Sequence, residues 1–329
     1  MTTNGNFKRR VRARAAKTGQ SYTTSLRHFR PAPAVDPVPG TGRVRPAVAQ
    51  TALRGNPSGD GLRDSGDDVR GLMREAHAAG ATLVHFPEGA TCSPDKHVMS
   101  VAGPDVVGPA DWERFEWDVL RQELTAIADL SRELGLWTVL GSVHRLTPPN
   151  RPHNSLYVIS DRGRLVTRYD ERMLSSTKVT HMYAPGSGPA TFDLGGLRFG
   201  LLLGMEVHFP ELFLEQEGLD VDCVLFSTAG PGTPTDDGVF AAEARAHAAT
   251  NGYWVAYAGP ARGVPSGVVS PAGQWAARCP AGGNPAIAVV DLDADPDDRA
   301  RRWRRAARSG VYEPHFVRDD SRSDDLGAF

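Results

Sequence analysis

Cysteine is scarce in this chain of 329 residues: only Cys92, Cys223 and Cys279 occur. Their number is odd and their spacing does not match metal ligands. Both features argue against a disulfide framework and a cysteine-based metal site. Long apolar runs are missing as well. No stretch approaches the ~20 residues that a membrane-spanning helix needs. The N-terminus carries charge but lacks the apolar segment of a secretory signal. A dominant charge is absent too: the formal net value is −2, so the whole-chain balance points to no special partner. No internal repeat recurs at a solenoid period. A soluble, reducing, cytoplasmic setting is therefore expected, with no membrane association.

Acidic residues are absent from 7–30, where eight Lys or Arg occur. Gly19 followed by Ser21 reads as one helix ending and the next being capped, so residues 1–30 are expected to form a basic helical extension. Residues 31–44 hold four prolines, read as a linker without a core pattern. From residue 45 the pattern changes. RPAVAQTAL alternates like a strand, and GDDVRGLMREAHAAGA places Val69, Leu72, Met73 and Ala76 on one helical face. ATLVHFPEG reads as a buried strand with Glu88 at its C-terminal end. A helix over roughly 117–134 leads into the strand LWTVLGSVHRL. HNSLYVIS, DRGR and LVTRYDE read as a hairpin. TFDLGGLRFGLLLGMEV is expected to give two strands. Helices and short apolar strands then alternate through PAIAVVDLD, and RRWRRAAR reads as a basic helix. This favours one layered α/β domain with a mixed sheet over residues 45–317, and a polar tail over 318–329.

The order of these segments resembles the nitrilase superfamily of carbon–nitrogen hydrolases, from about Pro46 to about Tyr312. The resemblance rests on AVAQ, on EAHAAGATLVHFPE, on HNSLYVISDRGRLVTRYDERML, on YAPGSGPATFDLGGLRFGLLLGMEVHFPEL, and on RAHAATNGYWVAYA with GVVSPAG. It implies a four-layer α-β-β-α sandwich with mixed sheets, and a homodimer. It also implies a chemistry in which a thiolate attacks a nitrile or amide carbon. A carboxylate moves the proton and a fixed cation stabilises the oxyanion.

Residue by residue, the resemblance places Glu88 as the base. It puts Glu171 where a lysine is expected, and Lys178 where one branch of the family has a second glutamate. Gly204, in Gly204-Met205-Glu206, falls where the cysteine belongs, and a glycine cannot form a thioester. Glu88 and Lys178 are the candidate catalytic pair. Cys92, Met205, Glu206 and His208 are candidate ligand contacts. Asn154 is read as architectural. No metal and no cofactor are implied.

Three functions follow as expectations. The chain is an atypical or inactive homologue that binds a small amide- or carboxylate-type ligand. Alternatively, it is an active amide or nitrile hydrolase in which Glu88 activates water beside Lys178. In the third, it is a regulatory or nucleic-acid-associated protein acting through residues 7–30, for which a solvated extension is the plainer reading.

Overall fold

The computed structural model describes residue 12 and residues 43–230, 237–293, 299–311 and 313–315. The basic helical hairpin expected over residues 7–30 and most of the linker lie outside the described residues, as does the polar tail over 318–329.

Two six-stranded mixed sheets form the centre. The first is built from β2 (Pro46–Gln50), β3 (Leu83–His85), β4 (Trp137–His144), β5 (His153–Ile159), β6 (Leu165–Asp170) and β13 (Ala286–Val289), in the order β13-β2-β3-β4-β5-β6. The second contains β7 (Thr191–Leu194), β8 (Leu197–Leu203), β9 (Cys223–Ser227), β10 (Trp254–Ala258), β11 (Gly267–Val269) and β12 (Trp275–Arg278), in the order β12-β11-β10-β9-β8-β7. In each, three adjacent strands run parallel: β2, β3 and β4, and β8, β9 and β10. The remaining neighbours are antiparallel.

Alternation along the strands decides which layer each side chain joins. On β2, Ala47 and Ala49 meet Val69, Leu72 and Met73 of α1 (Gly59–Ala78) and Ile127 and Leu130 of α2 (Trp117–Leu134). Val48 turns to the opposite face. There it joins Leu83, Val139 and Val158 in a core shared with Phe199, Leu201 and Leu203 of the second sheet. That core continues to Phe213 on α3 (Pro210–Gly218) and Phe240 and Ala244 on α4 (Asp237–Asn251). The layers are thus helix, sheet, sheet, helix, the nitrilase-type arrangement the resemblance implies.

Several boundaries differ from the sequence reading. The helix expected from Gly66 begins at Gly59, because the Ser58 side chain accepts a hydrogen bond from Gly61 N and caps the added turns. The strand expected to continue through GMEV stops at Leu203, and Gly204–His208 form a tight helical turn. The linker ends early. Arg43–Val44 form β1, paired with β14 (Leu292–Asp293). Strand β12 carried no clear sequence signal; its exposed and half-buried residues alternate at a sheet edge. The basic C-terminal helix is present as α5 (Arg299–Arg308). It is held by ion pairs from Arg301 to Asp222 and from Arg305 to Glu217.

Candidate active site

Four chain segments bring their ends together beside the carboxyl ends of β3, β8 and β9, the usual place for sites in open α/β sheets. Glu88 follows β3 closely. Gly141 on β4 allows this approach: a Cβ there would collide with Pro87 O and lie 2.7 Å from Gly89 N. Glu88 Oε2 accepts from Ala229 N at 2.9 Å, which ties the loop after β3 to the loop after β9. Glu171 directly follows β6, and its backbone N–H donates to Asn154 O at 2.9 Å. Lys178 opens a single π-helical turn over Lys178–Met182; such turns recur at functional sites.

Lys178 Nζ donates to Glu171 Oε2 at 2.8 Å and to Glu88 Oε1 in a shorter contact. Asn154 Nδ2 donates to the same two oxygens, at 2.6 Å and 2.9 Å. An ammonium and an amide therefore bridge two carboxylates. Asn154, read from sequence as architectural, lies in the site itself. The arrangement contains two acids and one base, so its formal charge is negative when both acids are ionised.

Gly204 sits at the strand-to-helix turn after β8, with φ +56°. A Cβ on it would lie 2.5 Å from Glu171 Oε1, 3.0 Å from Lys178 Nζ and 3.1 Å from Glu88 Oε2. The structure thus brings together Glu88, Glu171, Lys178 and Gly204, all four named from sequence. Met205 joins through its backbone, whose N–H donates to Glu171 Oε1 at 3.4 Å.

Burial pushes the Glu171 carboxyl up; Lys178 pulls it back and the Glu88 charge raises it again, for a net value of about 7. Burial alone would lower Lys178, but Glu88 and then Glu171 more than offset it, and its pKa is raised. Lys178 therefore stays an ammonium at neutral pH.

The remaining candidates stand elsewhere or act differently. Glu206 is fully buried, and its oxygens accept from Tyr169 Oη at 2.7 Å, Arg172 N at 2.7 Å and Leu203 N at 2.8 Å. Expected as a ligand contact, it instead fixes the turn at Gly204 against the segment that carries Glu171. His208 Nδ1 lies 2.7 Å from Glu243, with its ring edge-on to Phe240, and is not among the groups that meet at Gly204. Cys92 is buried in an apolar cluster with Met99, Val143, Met182 and Tyr183. Burial pushes its thiol up to about 11, so it is protonated at neutral pH. Tyr183 was not singled out from sequence. It is a buried member of this cluster, and burial, Cys92, Glu88 and Glu171 all raise its phenol pKa.

The family model described as Carbon-nitrogen hydrolase matches residues 66–304. The chain belongs to the carbon–nitrogen hydrolase family. A Mycobacterium tuberculosis protein named Hydrolase Rv0480c is 29% identical over 250 residues, covering 69% of this chain and 83% of that protein. Among solved structures, a cysteine-to-alanine mutant of a Nesterenkonia AN1 amidase from the nitrilase superfamily superimposes with a TM-score of 0.66 at 20% identity. That match covers 86% of this chain and all of the amidase (100%). A glutamate-to-glutamine mutant of the same amidase gives a TM-score of 0.62 at 23% identity, over 83% of this chain and 99% of that one. It shows covalent addition of the acetamide moiety of fluoroacetamide at that enzyme's active-site cysteine. These likenesses establish the shared fold of the carbon–nitrogen hydrolase domain.

Proposed function

We propose that this chain binds a small amide- or carboxylate-type ligand at the family's site without forming a thioester to it. Gly204 carries this reading. It stands at the turn where the resemblance puts the nucleophile, beside Glu88 and Lys178, and has no side chain with which to attack. Cys92, Cys223 and Cys279 are all buried, which argues against a substitute thiol. Lys178 is the member of the cluster most open to solvent, its side chain 22% exposed against 7% for Glu88 and 0% for Glu171. An ammonium so placed donates to a carboxylate or to an amide oxygen.

Calorimetric titration of the purified full-length protein with small amides and carboxylates tests this reading. Saturable binding is expected, with loss in Lys178→Met and no turnover of amides or nitriles. Turnover that disappears in Glu88→Gln would overturn it. That outcome would support the second reading, in which Glu88 activates water directly and Lys178 polarises the carbonyl. The residual exposure of Glu88 and its contact with Lys178 favour that alternative.

A homodimer and a cytoplasmic location belong to the same proposal. Leu214 on α3 and Val239 on α4 are both exposed on the outer helical layer, which is compatible with a subunit contact. Light scattering on the full chain reads the assembly. No helix among the described residues is long and apolar enough to cross a membrane.

A further inference from the structure

Glu171 is bound the way a ligand is bound. Its carboxylate is fully buried and receives donors from three separate segments: Lys178 Nζ from the π turn, Asn154 Nδ2 from β5, and Met205 N–H from the turn after β8. The floor beneath Oε1 is Gly204, which offers no side chain, and Oε1 lies where such a side chain would begin. An ordinary buried ion pair needs one partner. Here a cation, a side-chain amide and a backbone N–H converge over a glycine, which is how proteins hold a free carboxylate.

We propose that Glu171 is an intramolecular ligand: its side chain fills an inner subsite whose shape and donors suit a one- or two-carbon carboxylate. An external ligand is thereby confined to the outer side of Lys178. The assignment goes beyond the ligand reading above and stands or falls separately. It concerns what the subsite takes when Glu171 is removed, not what the wild-type chain binds.

Glu171→Ala deletes a CH2–COO⁻ group, the counterpart of acetate, and leaves Lys178, Asn154 and Met205 N–H facing the vacated volume. The test measures melting midpoints of the full-length Glu171→Ala, Glu171→Gln and wild-type proteins in acetate, formate, benzoate and chloride at matched ionic strength. In Glu171→Ala, acetate or formate is expected to give a saturable rise of roughly 2 °C or more, and to bind at least about tenfold more tightly than to the wild type. Benzoate is too large for the vacated volume and is expected to match chloride. Glu171→Gln keeps the side chain in place and is expected to gain no acetate response.

A folded Glu171→Ala variant that responds to acetate no better than the wild type overturns the proposal. So does an equal gain in Glu171→Gln, which would trace the effect to the lost charge instead of the vacated space. If Glu171→Ala does not fold in chloride, the refolding yield is read instead. A rise of about threefold or more in acetate over chloride supports the proposal, and an unchanged yield overturns it.

Discussion

The carboxylate of Glu171 and any side chain on Gly204 compete for one volume: a Cβ at Gly204 lies 2.5 Å from Glu171 Oε1. Two costs therefore fall on Gly204→Ala. The backbone φ of +56° is strained for a residue with a Cβ, by about 1–2 kcal/mol. The methyl must also displace a buried carboxylate held by three donors. A loss of at least about 2 kcal/mol in unfolding free energy is expected in denaturant titration. An Ala variant as stable as the wild type would show that Glu171 moves aside at little cost.

This competition also marks where sequence reading stops. Glu88, Glu171, Lys178 and Gly204 were legible because each falls at a fixed place in a family pattern, and strand periodicity placed them at element ends. Asn154 was visible as part of that pattern, but its bridge between two carboxylates depends on the pairing of β5 with β6, which one strand cannot reveal. Glu206 looked like a ligand contact because it neighbours Gly204. Only the fold shows Tyr169 and three backbone N–H groups turned toward it. The start of α1 was missed because Gly59-Asp60-Gly61 has poor helix propensity, and the Ser58 cap compensates. His208 stands apart from the groups that meet at Gly204 for a geometric reason: the tight turn at Gly204–His208 sends it toward α4.

Glu171 gives the molecule a pH-dependent stability with a definite sign. Its folded pKa, about 7, lies above the ordinary carboxyl value of 4.5 because of burial first. A raised acid binds its proton more tightly when folded. Its contribution is therefore fully present below about pH 4.5 and is lost as pH rises through about 7. Removing this group with Glu171→Gln should flatten that decline. The difference in unfolding free energy between wild type and variant is expected to change by on the order of 3 kcal/mol between pH 4.5 and pH 8. A pH-independent difference would mean that Glu171 titrates alike in both states.

Lys178→Met tests the electrostatic centre. The substitution leaves Glu88 and Glu171 facing each other with only Asn154 between them. Breaking a buried ion pair from one side costs about 3–5 kcal/mol. The loss should be greatest near pH 8, where Glu171 is ionised and paired with Lys178 in the wild type, and smaller near pH 5, where Glu171 carries a proton with or without the lysine. Thermal melts at both pH values check this, and an equal loss at each would contradict it.

Tyr169→Phe removes one donor from Glu206 while leaving the backbone N–H groups of Leu203, Arg172 and Met173 in place. A loss of about 1–2 kcal/mol is expected, since the carboxylate keeps most of its partners. Glu206→Ala should cost more, because it strands all of those donors in a buried setting. Chemical denaturation of the two variants gives the order directly, and a larger loss in Tyr169→Phe would contradict it.

The overlap between Glu171 and Gly204 also bears on whether a thiol can work at position 204. Gly204→Cys alone places the sulfur against Glu171, so a strained and poorly folded protein without amide turnover is expected. The double variant Glu171→Ala/Gly204→Cys clears that space and sets the introduced thiol beside the Lys178 ammonium, which favours the thiolate. The native thiols give a quiet background: Cys92, Cys223 and Cys279 are all buried, and burial raises the pKa of each. Intact-mass measurement of iodoacetamide alkylation at pH 6.5 should therefore show one fast addition in the double variant, at least about tenfold faster than any in the wild type. Equal rates in the single and double variants would mean that Glu171 does not obstruct the position. No fast addition in a folded double variant would mean that Lys178 does not activate a thiol there.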